Sequence, residues 1–335
     1  MKYISRSDLS IILNELIGES RLIAPKKVGG VILYQPITDT SHITWDFTRP
    51  VLSIKESFFP ATERLFTIDI NGQEVTLNDT LPEIPQIILG VRPCDARGMK
   101  ILDALFIDTP PRDSYFAQHR ANTTIIGLSC QELGETCFCT SMDGSPTDTQ
   151  GMDVMLTEIK DGYTVQIITE KGKKFFGDHL SLAHEEAPPP SGTLDRPSAI
   201  PAPNDIDWPR NFHEAYWDQL AERCLSCRIC AYICPTCRCF TVRDEAVPNN
   251  NGRREFERIR CWDACTSEAY RQIAGGHNPR QAKKQRLRNR IYCKFDFYPK
   301  QYGPIACTGC GRCVEMCPVN IDVTEVLRDL AEVTP

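Results

Sequence analysis

No stretch of this 335-residue chain approaches the ~18–20 consecutive apolar residues of a membrane-spanning helix, so no span is expected. The N-terminus, MKYISRSDLSIILNELIG, places Asp8 and Glu15 where a signal peptide carries an uncharged apolar run. A cytoplasmic location is the expectation, or arrival elsewhere with a partner. No Gly-x-Gly-x-x-Gly follows a strand: CTGCGRC belongs to a cysteine run, and AGGHN follows no strand. A phosphate-binding Gly-Lys-Ser/Thr loop is missing too. The six histidines (His42, His119, His179, His184, His213 and His277) are scattered and suggest no Ser–His–Asp arrangement. A net charge of −6 gives no general reason to expect nucleic acid or an anionic membrane as partner. Nothing recognisable binds a nucleotide or activates a substrate, which points to a subunit whose partners hold the catalytic centres.

Cysteine is what the chain has in excess, with 17 residues. In a short secreted chain these would read as a disulfide framework; in a long chain without a leader they argue for metal, and an odd count forbids complete pairing. The cysteines are unevenly spread. Residues 185–209, EEAPPPSGTLDRPSAIPAPNDIDWP, hold seven prolines and few large apolar residues, the composition of a semi-rigid linker. Upstream, residues 1–184 predict an α/β domain suited to docking a partner. SRSDLSIILNELIGES reads as an amphipathic helix capped by Ser7 or Asp8, and VILYQ, RLFTIDI, QIILGV, TTIIGL, DVMLTEI and YTVQII read as strands. QIILGV and TTIIGL are apolar on both faces, as central strands are. Downstream, residues 210–335 carry 13 of the 17 cysteines and no evident strands, which predicts an α-helical ferredoxin-like domain.

Two downstream runs share one spacing. Cys224, Cys227, Cys230 and Cys234 precede Pro235; Cys307, Cys310, Cys313 and Cys317 precede Pro318. Each is Cys-x-x-Cys-x-x-Cys-x-x-x-Cys-Pro, the bacterial ferredoxin run, in which three thiolates hold one cubane and the fourth reaches the other. Zinc sites use two separated Cys-x-x-Cys pairs instead. The expected ligand sets are Cys224, Cys227, Cys230 and Cys317 for one 4Fe–4S cluster, and Cys307, Cys310, Cys313 and Cys234 for the other. The 72 residues between Cys234 and Cys307 suit helices carrying the runs better than a minimal ferredoxin hairpin.

Nine cysteines remain. Cys94 follows QIILGV and Cys130 follows TTIIGL, so parallel neighbouring strands would bring both to the carboxyl edge of one sheet, where open α/β sheets place ligands. Cys137 and Cys139 lie on the loop after Cys130. These four are candidates for a third 4Fe–4S cluster; the alternative is that they pack as small apolar residues. Cys237, Cys239, Cys265 and Cys293 form a second possible quartet, with packing around the ferredoxin core as the alternative, and Cys261 reads as a spectator. RQAKKQRLRNR, residues 280–290, has six basic residues in eleven without interleaved aromatics. Its expected role is to raise the potential of anionic clusters or to dock an acidic partner.

The segments GVRPCDARGMKILD, IIGLSCQELGETCFC, CLSCRICAYICPTCRCF, CWDAC, AGGHNPR, RLRNRIYCK and CTGCGRCVEMCP, in this order, resemble the iron–sulfur β subunit of cytoplasmic NAD(P)-linked nickel–iron sulfhydrogenases. That family includes the A subunit of anaerobic sulfite reductase; RLRNRIYCK and CPTCRCF resemble the hydrogenase branch. The resemblance spans residues ~30–330 and its motifs include the positions of Cys94, Cys130, Cys137, Cys139, Cys237, Cys239 and Cys265. It implies a flavin- and NAD(P)-binding partner, a small iron–sulfur subunit and a catalytic large subunit. The chain would carry electrons between flavin and the catalytic side, with no catalysis of its own. Electron input to an anaerobic sulfite reductase or another flavin-coupled reductase is the competing expectation; a stand-alone carrier would have no use for the long α/β half.

Overall fold

A computed structural model describes residues 2–177, 200–248 and 254–332. In chain order the first part holds β1 (Lys2–Ser5), α1 (Arg6–Leu16), β2 (Arg21–Val28), β3 (Val31–Pro36), β4 (Thr62–Asn71), β5 (Glu74–Asp79) and β6 (Gln86–Val91). It continues with α2 (Pro93–Phe106), α3 (Ser114–Asn122), β7 (Thr123–Leu128), β8 (Val154–Ile159), β9 (Gly162–Ile167) and α4 (Glu170–Phe176). One sheet has seven strands in the order β1-β9-β8-β7-β6-β2-β3. Its centre, β2, β6, β7 and β8, is parallel, and antiparallel pairs close its edges.

The pleat sorts the two central strands between two cores. Leu89 and Ile126 face Leu9, Ile12 and Leu13 of α1 and Phe175 and Phe176 of α4. Ile88, Val91 and Ile125 face Met99, Leu102 and Phe106 of α2 and Phe116 of α3. At Gly90, with φ 72°, the register of β6 shifts against β7, and a Cβ there would stand 3.1 Å from the Pro25 ring. This bulge sits four residues before Cys94 and aims the strand end. The six expected strands are β3, β4 and β6–β9. Pro25 hid β2, since proline inside a run argues against a strand. The cap of α1 is Ser5 rather than Ser7 or Asp8: its backbone is extended, and its Oγ accepts from the Asp8 amide at 3.1 Å.

The second part holds α5 (Trp208–Asn211), α6 (Tyr216–Arg223), α7 (Ile229–Tyr232), β10 (Phe240–Val247), β11 (Arg254–Trp262), α8 (Lys283–Tyr292), a π-helical segment (Cys293–Phe297), α9 (Tyr298–Tyr302), α10 (Arg312–Glu315) and α11 (Val323–Glu332). The expectation of a strand-free, α-helical downstream half is corrected here. β10 and β11 form a hairpin that pairs through β11 with β4, giving a four-stranded antiparallel sheet in the order β10-β11-β4-β5. FTVRDEAV and REFERIRCW carry too many charges to read as strands. Those charges are satisfied across strands, by Arg258 with Asp244 at 2.7 Å and Arg64 with Glu257 at 2.6 Å.

Most of the proline-rich stretch lies outside the described residues. Its last part packs: Ile206 and Trp208 are buried in the core of the second part, and Trp208 stacks on Phe295 at 6.2 Å. The two parts are tied together at three further places. Arg260 of β11 pairs with Glu63 of β4 and with Asp113. Lys55 donates to the Cys237 carbonyl at 3.2 Å and lies 3.7 Å over the Trp262 ring. Arg312 pairs with Asp95, both fully buried.

Candidate metal centres

All eight cysteines of the two runs line one cavity of about 1000 Å³, mouth included. The runs share two left-handed backbone positions. Between the first and second cysteines of each run, Ser226 (φ 55°) matches Gly309 (φ 65°); between the second and third, Arg228 (φ 68°) matches Gly311 (φ 74°). Each run then enters a single helical turn, α7 carrying Cys230 and α10 carrying Cys313. Left-handed residues at these two places fold the ladder of thiols inward. In the first run a serine and an arginine adopt them at a cost of roughly 1–2 kcal/mol each.

The two ends of the cavity differ. Cys227 is exposed, beside Leu225 at 65% and Ile229 at 36% exposure. Cys234, Cys307 and Cys310 are buried. Around this inner end stand cations with no carboxylate partner among the described residues. The Lys294 ammonium donates to Cys234 Sγ at 3.1 Å, Thr236 Oγ1 at 3.0 Å and the Ala306 carbonyl at 3.0 Å. Arg290 donates to Cys237 Sγ at 3.3 Å and the Cys230 carbonyl at 2.7 Å. Burial pulls Lys55 down to about 8, against the pull of nearby Cys237 and Cys234. Burial pushes the Cys307 thiol up to about 11 and Cys313 up to about 12.

A second cavity, of about 360 Å³ with its mouth included, is lined by Cys94, Cys130, Cys137 and Cys139, and Cys310 lines it as well. β6 and β7 are parallel neighbours, so Cys94 at the start of α2 and Cys130 two residues past β7 leave the same sheet edge. Burial pushes the Cys130 thiol up to about 11 and also raises that of Cys94. The loop 134–139 closes the site from above and rests on the inner run: the Phe138 amide donates to the Gly309 carbonyl at 2.8 Å. A Cβ on Gly309 would lie 2.5 Å from Cys139 Cα, and one on Gly311 would overlap the Thr136 carbonyl. Both inner-run glycines are therefore required by contact as well as by φ. Arg312 locks the junction, donating to Asp95 at 2.6 and 2.8 Å and to the Pro50 carbonyl at 3.1 and 3.0 Å. Arg49 adds bonds to Cys137 Sγ at 3.3 Å, Thr136 Oγ1 at 3.1 Å and the Glu315 carboxylate.

Both cavities suit an anionic iron–sulfur group. At the first cavity the buried cations Lys294 and Arg290 lack carboxylate partners among the described residues, which is costly, and thiolates with a cluster would supply the missing negative charge. Buried polar atoms with no partner in the protein gather here: Arg92 Nε, Arg97 Nη1 and Ser129 Oγ near the second cavity, Thr266 Oγ1 and Thr308 Oγ1 at the first. Among the described residues no group of three His, Cys, Asp or Glu closes on a single metal ion. The thiols are spread around larger volumes.

The second possible quartet meets different company. Cys237 lies within hydrogen-bonding reach of Cys234, and Cys239 of Cys265 and Tyr270, whereas Cys293 accepts from Arg238 at 3.4 Å. Cys261 sits on β11 opposite Thr62 and Thr241. In the basic stretch, Arg286 and Arg290 turn inward, Lys284 pairs with Asp218 at 2.8 Å, and Arg288 stacks 3.7 Å from the Phe212 ring. Sequence reading missed Asp95, Arg312, Lys55 and Lys294. Each is a charge embedded in an apolar or cysteine-rich motif, and that mismatch was the available signal.

A 4Fe–4S dicluster domain family matches residues 223–321. No solved structure matches the chain. Over 331 residues the sequence is 32% identical to the sulfhydrogenase 2 β subunit of Pyrococcus furiosus, covering 95% of each chain. With that identity over nearly its full length, and a dicluster domain where the two cysteine runs meet, the chain belongs to the sulfhydrogenase β-subunit family.

Proposed function

We propose that the chain is an iron–sulfur electron-transfer subunit of a hydrogenase-type complex, holding three 4Fe–4S clusters in a row. Cys224, Cys227, Cys230 and Cys317 hold the outer cluster, Cys307, Cys310, Cys313 and Cys234 the inner one, and Cys94, Cys130, Cys137 and Cys139 the third. Such clusters store and release one electron at a time. The observation that carries the reading is the position of Cys310, which lines both cavities and so leaves no protein layer between the second and third sites.

The protein's own residues do the rest. The loop 134–139 is held on the inner run by the Phe138 amide, which donates to the Gly309 carbonyl. Arg312 with Asp95 fixes the separation, because a buried bidentate pair has a single geometry. Exposed Cys227 at one end and the sheet edge at the other give the row two accessible termini. In this reading one terminus meets a flavin- and NAD(P)-binding subunit, and the other meets a small iron–sulfur subunit that leads to a catalytic large subunit. Among the described residues no helix is long and apolar enough to cross a membrane. A cytoplasmic complex is part of the proposal.

Anaerobic affinity purification of the tagged full chain from native cells tests this. Co-purifying flavin and nickel, with no hydrogen oxidation or NAD(P) reduction by the chain alone, is the expected result. Recovery with a sirohaem protein instead would transfer the chain to a sulfite-reducing complex, and recovery alone would end the subunit reading.

A further inference from the structure

Lys294 sits on the π-helical segment that follows α8, four residues after Arg290, and is 5% exposed. Its three ammonium protons are all committed, to Cys234 Sγ, Thr236 Oγ1 and the Ala306 carbonyl. Thr236 in turn donates to that carbonyl at 2.7 Å, so the ammonium cannot swing away without breaking a closed set of bonds. The nearest carboxylate along the chain, Asp296, is engaged by Lys300 at 2.5 Å. Among the described residues Lys294 therefore has no carboxylate partner; its charged neighbours other than thiols are the cations Arg290 and Lys55.

We propose that Lys294 is the potential-setting residue of this subunit: its fixed charge raises the reduction potential of the inner cluster above that of the outer one. The inference rests on the ligand assignment proposed above. Reduction adds one negative charge to the group on Cys234, Cys307, Cys310 and Cys313. A buried cation 3.1 Å from a ligand sulfur stabilises the reduced form more than the oxidised form. Arg290 donates to Cys237 Sγ and to the carbonyl of Cys230, a ligand of the outer set, so it faces both sites and does not separate them. Among the described residues no cation donates to a sulfur of the outer set: Lys283 reaches only the Cys224 carbonyl, at 2.9 Å, and Arg290 only the Cys230 carbonyl, at 2.7 Å. The exposed outer ligand Cys227 and the exposed Arg228 beside it are open to water and salt, which screen a charge. Electrons entering at the outer end would thus pass on to the inner cluster.

The test is a potentiometric titration of the intact, anaerobically prepared chain, followed by electron paramagnetic resonance. Lys294→Gln keeps a hydrogen-bonding group and removes the charge; one midpoint should move to lower potential while iron content and the remaining midpoints stay. Lys294→Arg should restore the wild-type value, which a purely structural role would not require. In the Cys227→Ser background, where the outer signal is altered or lost, the shift should persist. Unchanged midpoints in Lys294→Gln at full iron content would overturn the proposal, as would a shift confined to the outer signal. If Lys294→Gln loses iron, Lys294→Met, which keeps the side-chain volume and removes the charge, is read the same way, and unmoved midpoints there overturn it equally. Failure of the ligand assignment looks different: Cys234→Ser would then leave every signal and the iron count intact.

Discussion

The two cysteine runs share a spacing and two left-handed backbone positions, and differ in what lies against them. In the outer run the left-handed positions are Ser226 and Arg228, the next residue is Ile229, and all three border solvent or the cavity mouth. Their inner counterparts are Gly309, Gly311 and the fully buried Arg312. The difference teaches that the ligand spacing alone does not demand glycine. Glycine appears where a second backbone, the loop 134–139, presses on the run. The inner run therefore does two jobs, presenting thiols to one cavity and forming the wall of another.

Four tests sharpen that contrast, from the largest expected effect to the smallest. Asp95→Asn leaves the Arg312 guanidinium buried without its counter-charge, and should cost ~3–5 kcal/mol in anaerobic unfolding. No equivalent exists at Ile229, where Ile229→Asn should be close to neutral; a similar loss at both would erase the asymmetry. Gly311→Ala combines a strained φ with overlap on the Thr136 carbonyl, so a loss of roughly 2–4 kcal/mol is expected, with looser binding of iron at the second cavity. Iron analysis beside thermal unfolding checks it, and wild-type behaviour would refute the contact. Cys310→Ser should disturb two spectroscopic signals, because Cys310 lines both cavities, whereas Cys227→Ser should disturb one. Identical losses from the two would remove the shared wall. Arg228→Gly relieves a left-handed arginine and should change stability by no more than about 1 kcal/mol in either direction.

Much of this was readable before any coordinates. The ferredoxin spacing is a rule of local chemistry, so the eight thiols that share a cavity could be named from sequence alone. The meeting of Cys94 and Cys130 followed from two doubly apolar strands, since such strands are neighbours in a parallel sheet. What escaped reading is long-range. β11 pairs with β4 across almost two hundred residues, and its charges hide its period. The partnership of Asp95 with Arg312 spans 217 positions and leaves no local pattern. Lys294 stands as a lone charge in IYCKF, but what it meets is set by the π-helical segment that turns it inward. For the same reason the third site belongs to the intact chain: a fragment ending before residue 200 would leave β4 without β11 and Asp95 without Arg312.

The most direct measurement is iron and acid-labile sulfide per intact chain, purified anaerobically, for the wild type and for the double variant Cys137→Ser/Cys139→Ser. Three cubanes require about twelve irons in the wild type and about eight in the variant, with the outer and inner resonances retained. About eight irons in both, with unchanged spectra, would contradict the account and leave Cys94, Cys130, Cys137 and Cys139 as packing residues.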